Sequence, residues 1–140
     1  MSEFNYSVDS DGIGIISWDV PNKSMNVMSL DGLIQLDELF DKAISDNNVK
    51  GIIITSGKTD FAGGMDLNVL ADMKSAQGVN PAQGLFDGVM RIHKLLRKIE
   101  LAGMDFKTKK GAKPVAAAIT GTAAGIGFCL LYTSPSPRDP

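Results

Sequence analysis

A glycine turn directly after an apolar strand is the part of this sequence best suited to chemistry. The apolar run Gly51–Ser56 predicts a buried strand, and the segment Asp60–Leu67 (DFAGGMDL) follows it. The pair Gly63 and Gly64 allows a tight turn, and Asp66 can start a helix. The backbone N–H groups at such a helix start have no partner within the helix and point outward. They can stabilise an oxygen that is gaining negative charge.

A second glycine-rich turn begins about sixty residues further along the chain. The apolar segment Pro114–Ile119 predicts a short strand, and Gly121–Gly127 follows it. Either turn alone is typical of a tight strand-to-helix connection. Two turns that each supply one N–H favour an oxyanion site, because an enolate or tetrahedral oxyanion needs two convergent donors. A thioester carbonyl is a fitting target, since polarising it makes the neighbouring carbon more acidic.

The elements that must position these turns alternate between strands and helices. A strand is predicted over 12–19, and a helix from the cap Ser29 to about residue 45. The alternation predicts an α/β domain with largely parallel strands, in which Gly51–Ser56 is covered on both faces. A longer helix over about 82–101 is predicted to turn five apolar residues inward: Phe86, Val89, Met90, Leu96 and Ile99.

Composition excludes several classes of function. The chain has 140 residues, 44% of them hydrophobic, and a net charge of −2, which gives no reason to expect nucleic acid. We find no signal peptide and no apolar run of about 18 residues, so no membrane span is expected. The only cysteine is Cys129, which fits a reducing, cytoplasmic compartment. Without a Cys/His cluster, no metal is expected.

Positive charge is concentrated in one part of the chain. Residues 91–113 carry a net charge of +6, whereas residues 1–90 carry −8. The basic residues can form the solvated face of a helix and a basic loop. They can also form a landing site for a small polyphosphate ligand, because positive potential speeds the encounter with anions.

Three segments, in this order, resemble signatures of the crotonase (enoyl-CoA hydratase/isomerase) family. They are Asn22–Asn26 (NKSMN), Phe61–Leu67 (FAGGMDL), and Lys113–Gly121 (KPVAAAITG) followed by Gly125–Gly127 (GIG). The resemblance covers residues 5–128 and implies the N-terminal half of a crotonase-like ββα superhelix with largely parallel strands. The insertion around 104–110 is most similar to the α-subunit of multifunctional fatty-acid oxidation enzymes.

The resemblance implies a role for individual residues. The oxyanion N–H groups would come from Met65 and Ile126. Ile126 stands where the family usually has the middle glycine of a Gly-Gly-Gly run, so its branched side chain is expected to narrow the pocket. The resemblance places the loop Lys23, Ser24 and Met25 along the adenine and pantetheine of coenzyme A. Further substrate-binding positions are Gly63, Gly64, Met65, Asp66 and Gly125, and we interpret Asp66 as a helix cap, not as a catalyst.

The acids of the hydratase reaction are absent from this sequence. In the family, a glutamate follows the last glycine by two positions, and here that position is Cys129. A second glutamate is expected about twenty residues further on, beyond the end of the chain. Hydration needs both carboxylates as general base and acid. Residues 129–139 resemble a translated sequencing adaptor, so we expect a partial domain over 1–128 and a non-native tail over 129–140 that projects without packing.

The function implied by the resemblance is a fragment of a 2-enoyl-CoA hydratase that acts on acyl-CoA thioesters in fatty-acid β-oxidation. No cofactor is expected beyond the coenzyme A of the substrate, since NAD would bind a downstream dehydrogenase domain. The intact protein would be a homo- or hetero-oligomer. One alternative is a non-catalytic acyl-CoA-binding or assembly module. Another is an NAD-binding short-chain dehydrogenase, because Thr120–Gly127 fits Thr-Gly-x-x-x-Gly-Ile-Gly, although such domains carry this turn at their first strand.

Overall fold

The chain alternates strands and helices, as the sequence predicts. A computed structural model describes residues 1–69, 71, 80–105 and 107–133. The strands are β1 (Phe4–Val8), β2 (Ile13–Trp18), β3 (Gly51–Ser56) and β4 (Val115–Ala117). The helices are α1 (Leu30–Ser45), α2 (Pro81–Leu101) and α3 (Ile126–Thr133).

The four strands form one sheet in the order β1-β2-β3-β4. Strands β2, β3 and β4 are parallel, with Ile16 opposite Ile54 and Ile54 opposite Ala117. Strand β1, which the sequence analysis did not predict, pairs antiparallel with β2 and sets Phe4 opposite Trp18. The predicted α/β class with largely parallel pairing is therefore confirmed.

Helix α1 covers one face of this sheet. It begins at the predicted cap, where Ser29 Oγ accepts the Gly32 N–H at 2.8 Å. The same hydrophobic core contains buried side chains of the helix and of the sheet face: Leu33, Leu36, Phe40, Ala43, Ile16, Trp18, Ile52 and Ile54. On the other face of β3, Ile53 is only half-buried. The strand was predicted to be covered on both faces, but in the structure it is fully covered on one face only.

The prediction that helix α2 packs all five of its apolar residues inward is wrong for three of them. Ile99 is fully buried and Leu96 packs against the core, but Phe86, Val89 and Met90 are 59%, 40% and 38% exposed. Only the C-terminal half of α2 therefore contributes to the core. Apolar spacing identifies the residues that share a helix face, but it carries no information about which element covers that face.

The first residues of the predicted tail belong to helix α3. It continues through Cys129 to Thr133, and the side chain of Leu130 is fully buried in the core. The expectation that the tail projects without packing is therefore wrong for residues 129–133. The physical reason is that the tail's first proline is Pro135, so nothing before it prevents the helix from continuing. Residues 134–140 lie outside the described part of the chain.

Within the described ranges, no helix combines the length and the apolar character needed to cross a membrane.

Candidate active site

The two glycine turns lie at the same edge of the sheet. The first follows β3 and the second follows β4, and these neighbouring strands are parallel. The carboxyl ends of parallel strands meet at one edge, which is where ligands bind in many α/β folds. The topology therefore brings together two segments that are far apart in sequence.

Hydrogen bonds join the two turns directly. The N–H groups of Phe61 and Ala62 both donate to Thr122 O at 3.0 Å, and the Ala124 N–H donates to Ala62 O at 2.9 Å. In addition, Asp60 Oδ1 accepts the Thr122 N–H at 2.7 Å. The predicted convergence of the turns is thus confirmed, whereas the prediction that the Met65 and Ile126 amides reach one oxygen stays a prediction.

Glycine is required where the turns approach most closely. Gly125 has a φ of +54°, and a Cβ there would lie 3.2 Å from the Cα of Gly64. A Cβ on Gly127 would lie 2.5 Å from the Cβ of Ala62, a distance that real contacts do not reach. Larger residues at either position would push the second turn and α3 away from the first turn.

The backbone around Met65 leaves its N–H free for a ligand. The Met28 N–H donates to Gly64 O at 2.8 Å, and the Asp66 N–H donates to Met28 O at 2.9 Å. These bonds occupy the carbonyl before Met65 and the N–H after it, and not the N–H of Met65 itself. No residue of the described chain accepts a hydrogen bond from the N–H of Met65 or of Ile126. The structure thus provides two unpartnered donors, one on each turn.

The side chain of Ile126 lies in the hydrophobic core and is 7% exposed. The family resemblance led us to expect that this residue would narrow the pocket. The side chain instead packs in the core. The backbone N–H of Ile126 is the first of helix α3. The first N–H groups of a helix have no partner within the helix and point outward.

The loop that precedes Asn26 lies along the first turn. The Gly63 N–H donates to Asn26 O at 2.7 Å. A Cβ on Gly63 would lie 2.5 Å from Met25 Sδ, so the methionine side chain covers this glycine. Lys23 and Ser24 are exposed, and Lys23 Nζ forms an ion pair with Asp66 Oδ2 at 3.1 Å. Lys23 and Met25 therefore border the turn that carries Met65, and Ser24 lies between them in the chain.

Asp66 caps the segment that follows the first turn. Its Oδ1 accepts the Asn68 N–H at 2.9 Å, and helical backbone begins at Leu67. This N–H and, second, the Lys23 ammonium hold the pKa of Asp66 below its usual range. A carboxylate in this state accepts hydrogen bonds and is a poor proton donor near neutral pH, which agrees with the interpretation of Asp66 as a cap.

Known proteins are similar to this chain in sequence and in fold, although no protein-family model matches the chain. The fatty acid oxidation complex subunit alpha of Shewanella frigidimarina is 30% identical over 128 residues, which are 91% of this chain and 16% of that protein. The peroxisomal fatty acid beta-oxidation multifunctional protein MFP2 of Arabidopsis thaliana is 30% identical over 136 residues, 93% of this chain and 18% of that protein. The chain thus spans less than a fifth of these relatives.

Solved structures share the same architecture. An enoyl-CoA hydratase/isomerase (crotonase) of Legionella pneumophila superposes with a TM-score of 0.77 at 21% identity, over 96% of this chain and 46% of that chain. An enoyl-CoA hydratase/isomerase of Mycobacterium paratuberculosis gives a TM-score of 0.74 at 21% identity, over 95% and 47%. The chain therefore has the crotonase fold. Its fold corresponds to a little less than half of a solved crotonase chain.

Within this crotonase fold, two residues of the basic region, Lys98 and Lys113, bind groups of helix α1 and its C-terminal end. Lys98 is paired with Asp37 at 2.5 Å and Asp41 at 2.8 Å. Lys113 Nζ donates to Ala43 O at 2.8 Å and to Asp46 O at 2.6 Å. Lys113 precedes β4 and so lies at the amino ends of the parallel strands, opposite the turns. For the other basic residues, both the solvated face with a basic loop and the binding site for a polyphosphate ligand stay predictions.

Two residues that support the crotonase turns were not singled out as site residues in the sequence analysis. Asp60 clamps the second turn through its bond to Thr122, and this N–H holds the pKa of Asp60 below its usual range. Asn26 joins the loop to the first turn and is fully buried. Asn26 is the last residue of the family-like segment Asn22–Asn26, but the sequence did not reveal its role, because its partners are distant in sequence. Among the described residues, no cluster of three or more His, Cys, Asp or Glu side chains could hold a metal.

Proposed function

We propose that this chain is part of the 2-enoyl-CoA hydratase domain of a multifunctional fatty-acid β-oxidation enzyme, which acts on acyl-CoA thioesters. The observation that carries the proposal is the pair of unpartnered N–H groups, on Met65 and Ile126, at two hydrogen-bonded glycine turns. The two sequence relatives named above are fatty-acid oxidation proteins, which supports the substrate class.

In this proposal, the two N–H groups bind the thioester carbonyl oxygen and stabilise the negative charge that it gains as an enolate forms. Gly63, Gly64 and Gly125 allow the backbone to approach the carbonyl. Preorganised donors of this kind supply a large share of catalysis, since removal of one typically lowers the rate about 10²–10³-fold. Lys23, Ser24 and Met25 would contact coenzyme A, and Asp66 would hold Lys23 and cap the following helical segment.

Cys129 favours a second candidate for the chain as it stands. It occupies the position at which the family resemblance implies the first catalytic glutamate, and its side chain is exposed. A thiol there cannot replace a carboxylate as the group that activates water. A non-catalytic acyl-CoA-binding or assembly module, which polarises the carbonyl without adding water, is the alternative that this residue supports.

The remaining features of the proposal concern partners. Coenzyme A enters as part of the substrate, and NAD would belong to a separate dehydrogenase domain. A cytoplasmic location and a homo- or hetero-oligomeric assembly stay predictions. The short-chain dehydrogenase alternative gains no support, because the turn over Thr120–Gly127 follows the fourth strand and is hydrogen-bonded to the turn after β3.

Infrared difference spectroscopy with crotonyl-CoA carrying ¹³C at the thioester carbonyl tests this function. Binding to the two N–H groups should lower the carbonyl stretching frequency relative to the free thioester. The Gly125→Ala variant should lose most of this shift, because its Cβ would separate the two turns.

Gly111→Ala is the matched control. Gly111 also has a positive φ of +89°, but a Cβ there would meet only Gly103 O at 3.9 Å, away from the turns. It should therefore bear similar backbone strain and keep the shift. A bound thioester with the free carbonyl frequency in the unmodified chain would contradict the proposed function.

A further inference from the structure

Asn26 is the one polar side chain that is fully buried within the described ranges. Its Oδ1 accepts the Val20 N–H at 3.0 Å. Its Nδ2 donates to Trp18 O at 2.9 Å and lies within bonding distance of Ser56 Oγ at 3.0 Å and Phe61 O at 3.1 Å. Every polar atom of this amide therefore has a partner, which burial requires.

The partners of Asn26 belong to three elements that end at the site. Trp18 is the last residue of β2, Ser56 is the last residue of β3, and Phe61 lies in the first glycine turn. The backbone of Asn26 adds a further connection, because its carbonyl accepts the Gly63 N–H at 2.7 Å. One residue thus holds the turn at two points, by side chain and by main chain.

Ser56 extends this network along the same turn. Its Oγ donates to Asp60 O at 2.9 Å and accepts the Lys58 N–H at 2.9 Å. The chain from Lys58 to Gly63 is consequently anchored at successive residues just before Met65. A buried and fully bonded network of this kind is rigid, and it costs free energy when one member is lost.

We propose that Asn26 is the positioning residue of the oxyanion turn, and that its amide sets the direction in which the Met65 N–H points. This inference rests on the proposed function, since a defined N–H direction matters only if a carbonyl oxygen binds there. Asn26 itself touches no substrate. It acts through Phe61 and Gly63, whose positions fix the turn that ends in Met65.

The first test needs no ligand. The chain is labelled with ¹⁵N-methionine, and the Met65 amide cross-peak and its residual dipolar coupling are recorded by NMR. In Asn26→Asp, which keeps the shape and the Oδ1 acceptor but loses the Nδ2 donor, the Met65 signal should move while that of Met104 stays. Asn48→Asp, at an exposed asparagine, is the matched control and should move neither.

Ser56→Ala is the milder second variant, and it decides the matter if Asn26→Asp does not fold. It removes only the Oγ that links Asn26 to Asp60, so the Met65 signal should move in the same direction by a smaller amount. An unchanged Met65 signal in whichever folded variant is measured would overturn the proposal.

The second test separates positioning from general stability. With ¹³C-labelled crotonyl-CoA at saturation, Asn26→Asp should lose most of the shift in carbonyl frequency. Phe40→Leu, a destabilising change in the core of α1, should keep the full shift, because the site is untouched. A full shift in Asn26→Asp would overturn the positioning role. A missing shift in the unmodified chain would instead contradict the proposed function, while the Met65 signal still decides the role of Asn26.

Discussion

At the scale of single residues, the candidate site depends on side chains that do no chemistry themselves. Asp60 and Asn26 hold two backbone turns in place, and the N–H groups that would bind a carbonyl belong to Met65 and Ile126. Because a backbone donor is independent of side-chain type, substitution at Met65 alone would reveal little. Variants of the residues that fix the backbone are more informative.

Asp60 should make the joint between the turns dependent on pH. Folding lowers the pKa of Asp60, through the Thr122 N–H, so its stabilising contribution is fully present above the unfolded pKa of about 3.9. The contribution is lost as the pH falls through the lower, folded value. Asp60→Asn keeps an acceptor oxygen but cannot titrate. Chemical denaturation from pH 7 to pH 2 should therefore show a smaller loss of stability for this variant than for the unmodified chain, and equal losses would contradict the assignment.

Lys23 should matter for binding more than for stability. The Lys23 side chain of its ion pair with Asp66 is exposed, and exposed ion pairs contribute about 0–1 kcal/mol to the free energy of unfolding. If the loop contacts coenzyme A, Lys23→Gln should weaken crotonyl-CoA binding at low salt, as measured by calorimetry. Lys107→Gln removes the same charge from the loop before β4 and should leave the affinity unchanged. Equal losses in the two variants would indicate a general effect of charge.

At the scale of elements, local patterns predicted most of the fold. The strand Gly51–Ser56 and the helix that begins after Ser29 were predicted with the bounds that the structure has, since apolar runs and caps are local signals. Strand β1 was missed, because its short alternation of apolar and polar residues is a weak signal without its partner β2. The exposed Phe86 in α2 was predicted as buried, because helical spacing does not reveal what covers a face.

The candidate site shows the same division between local and distant information. Both glycine turns were predicted from local sequence, and the parallel order of their strands made convergence a reasonable expectation. The bonds from Asn26 to Phe61 and from Asp60 to Thr122 could not be predicted, since they join residues 35 and 62 positions apart. Such contacts depend on how the whole sheet is assembled.

Leu130 provides a test of the last element. This residue was predicted to lie in a non-native tail, whereas in the structure it belongs to α3 and its side chain is completely buried in the core. Leu130→Ala should therefore lower the free energy of unfolding by about 2–5 kcal/mol, the usual cost of truncating a buried leucine. Tyr132→Ala, in the same helix but at a side chain that is 75% exposed, is the control and should change it by about 0.5 kcal/mol or less. Similar small effects in both would support the original assignment.

At the scale of the whole molecule, the proposed function combines the Met65 and Ile126 donors with Cys129 at the position where the family resemblance implies the first glutamate. We expect no measurable hydration of crotonyl-CoA by this 140-residue chain in an absorbance assay of the conjugated thioester. Cys129→Glu should not restore it, because the reaction needs a second carboxylate as well. Hydration well above the uncatalysed rate by the unmodified chain would overturn the view that the missing glutamates are essential.

The central claim is that Met65 and Ile126 donate to one thioester oxygen. NMR titration of the chain labelled with ¹⁵N-methionine and ¹⁵N-isoleucine tests it most directly, with crotonyl-CoA as ligand and free coenzyme A as control. We predict that both amide protons move downfield with crotonyl-CoA and stay in place with coenzyme A, because only the thioester brings a carbonyl to the turns. Binding of crotonyl-CoA that leaves both amide signals unchanged would contradict the claim.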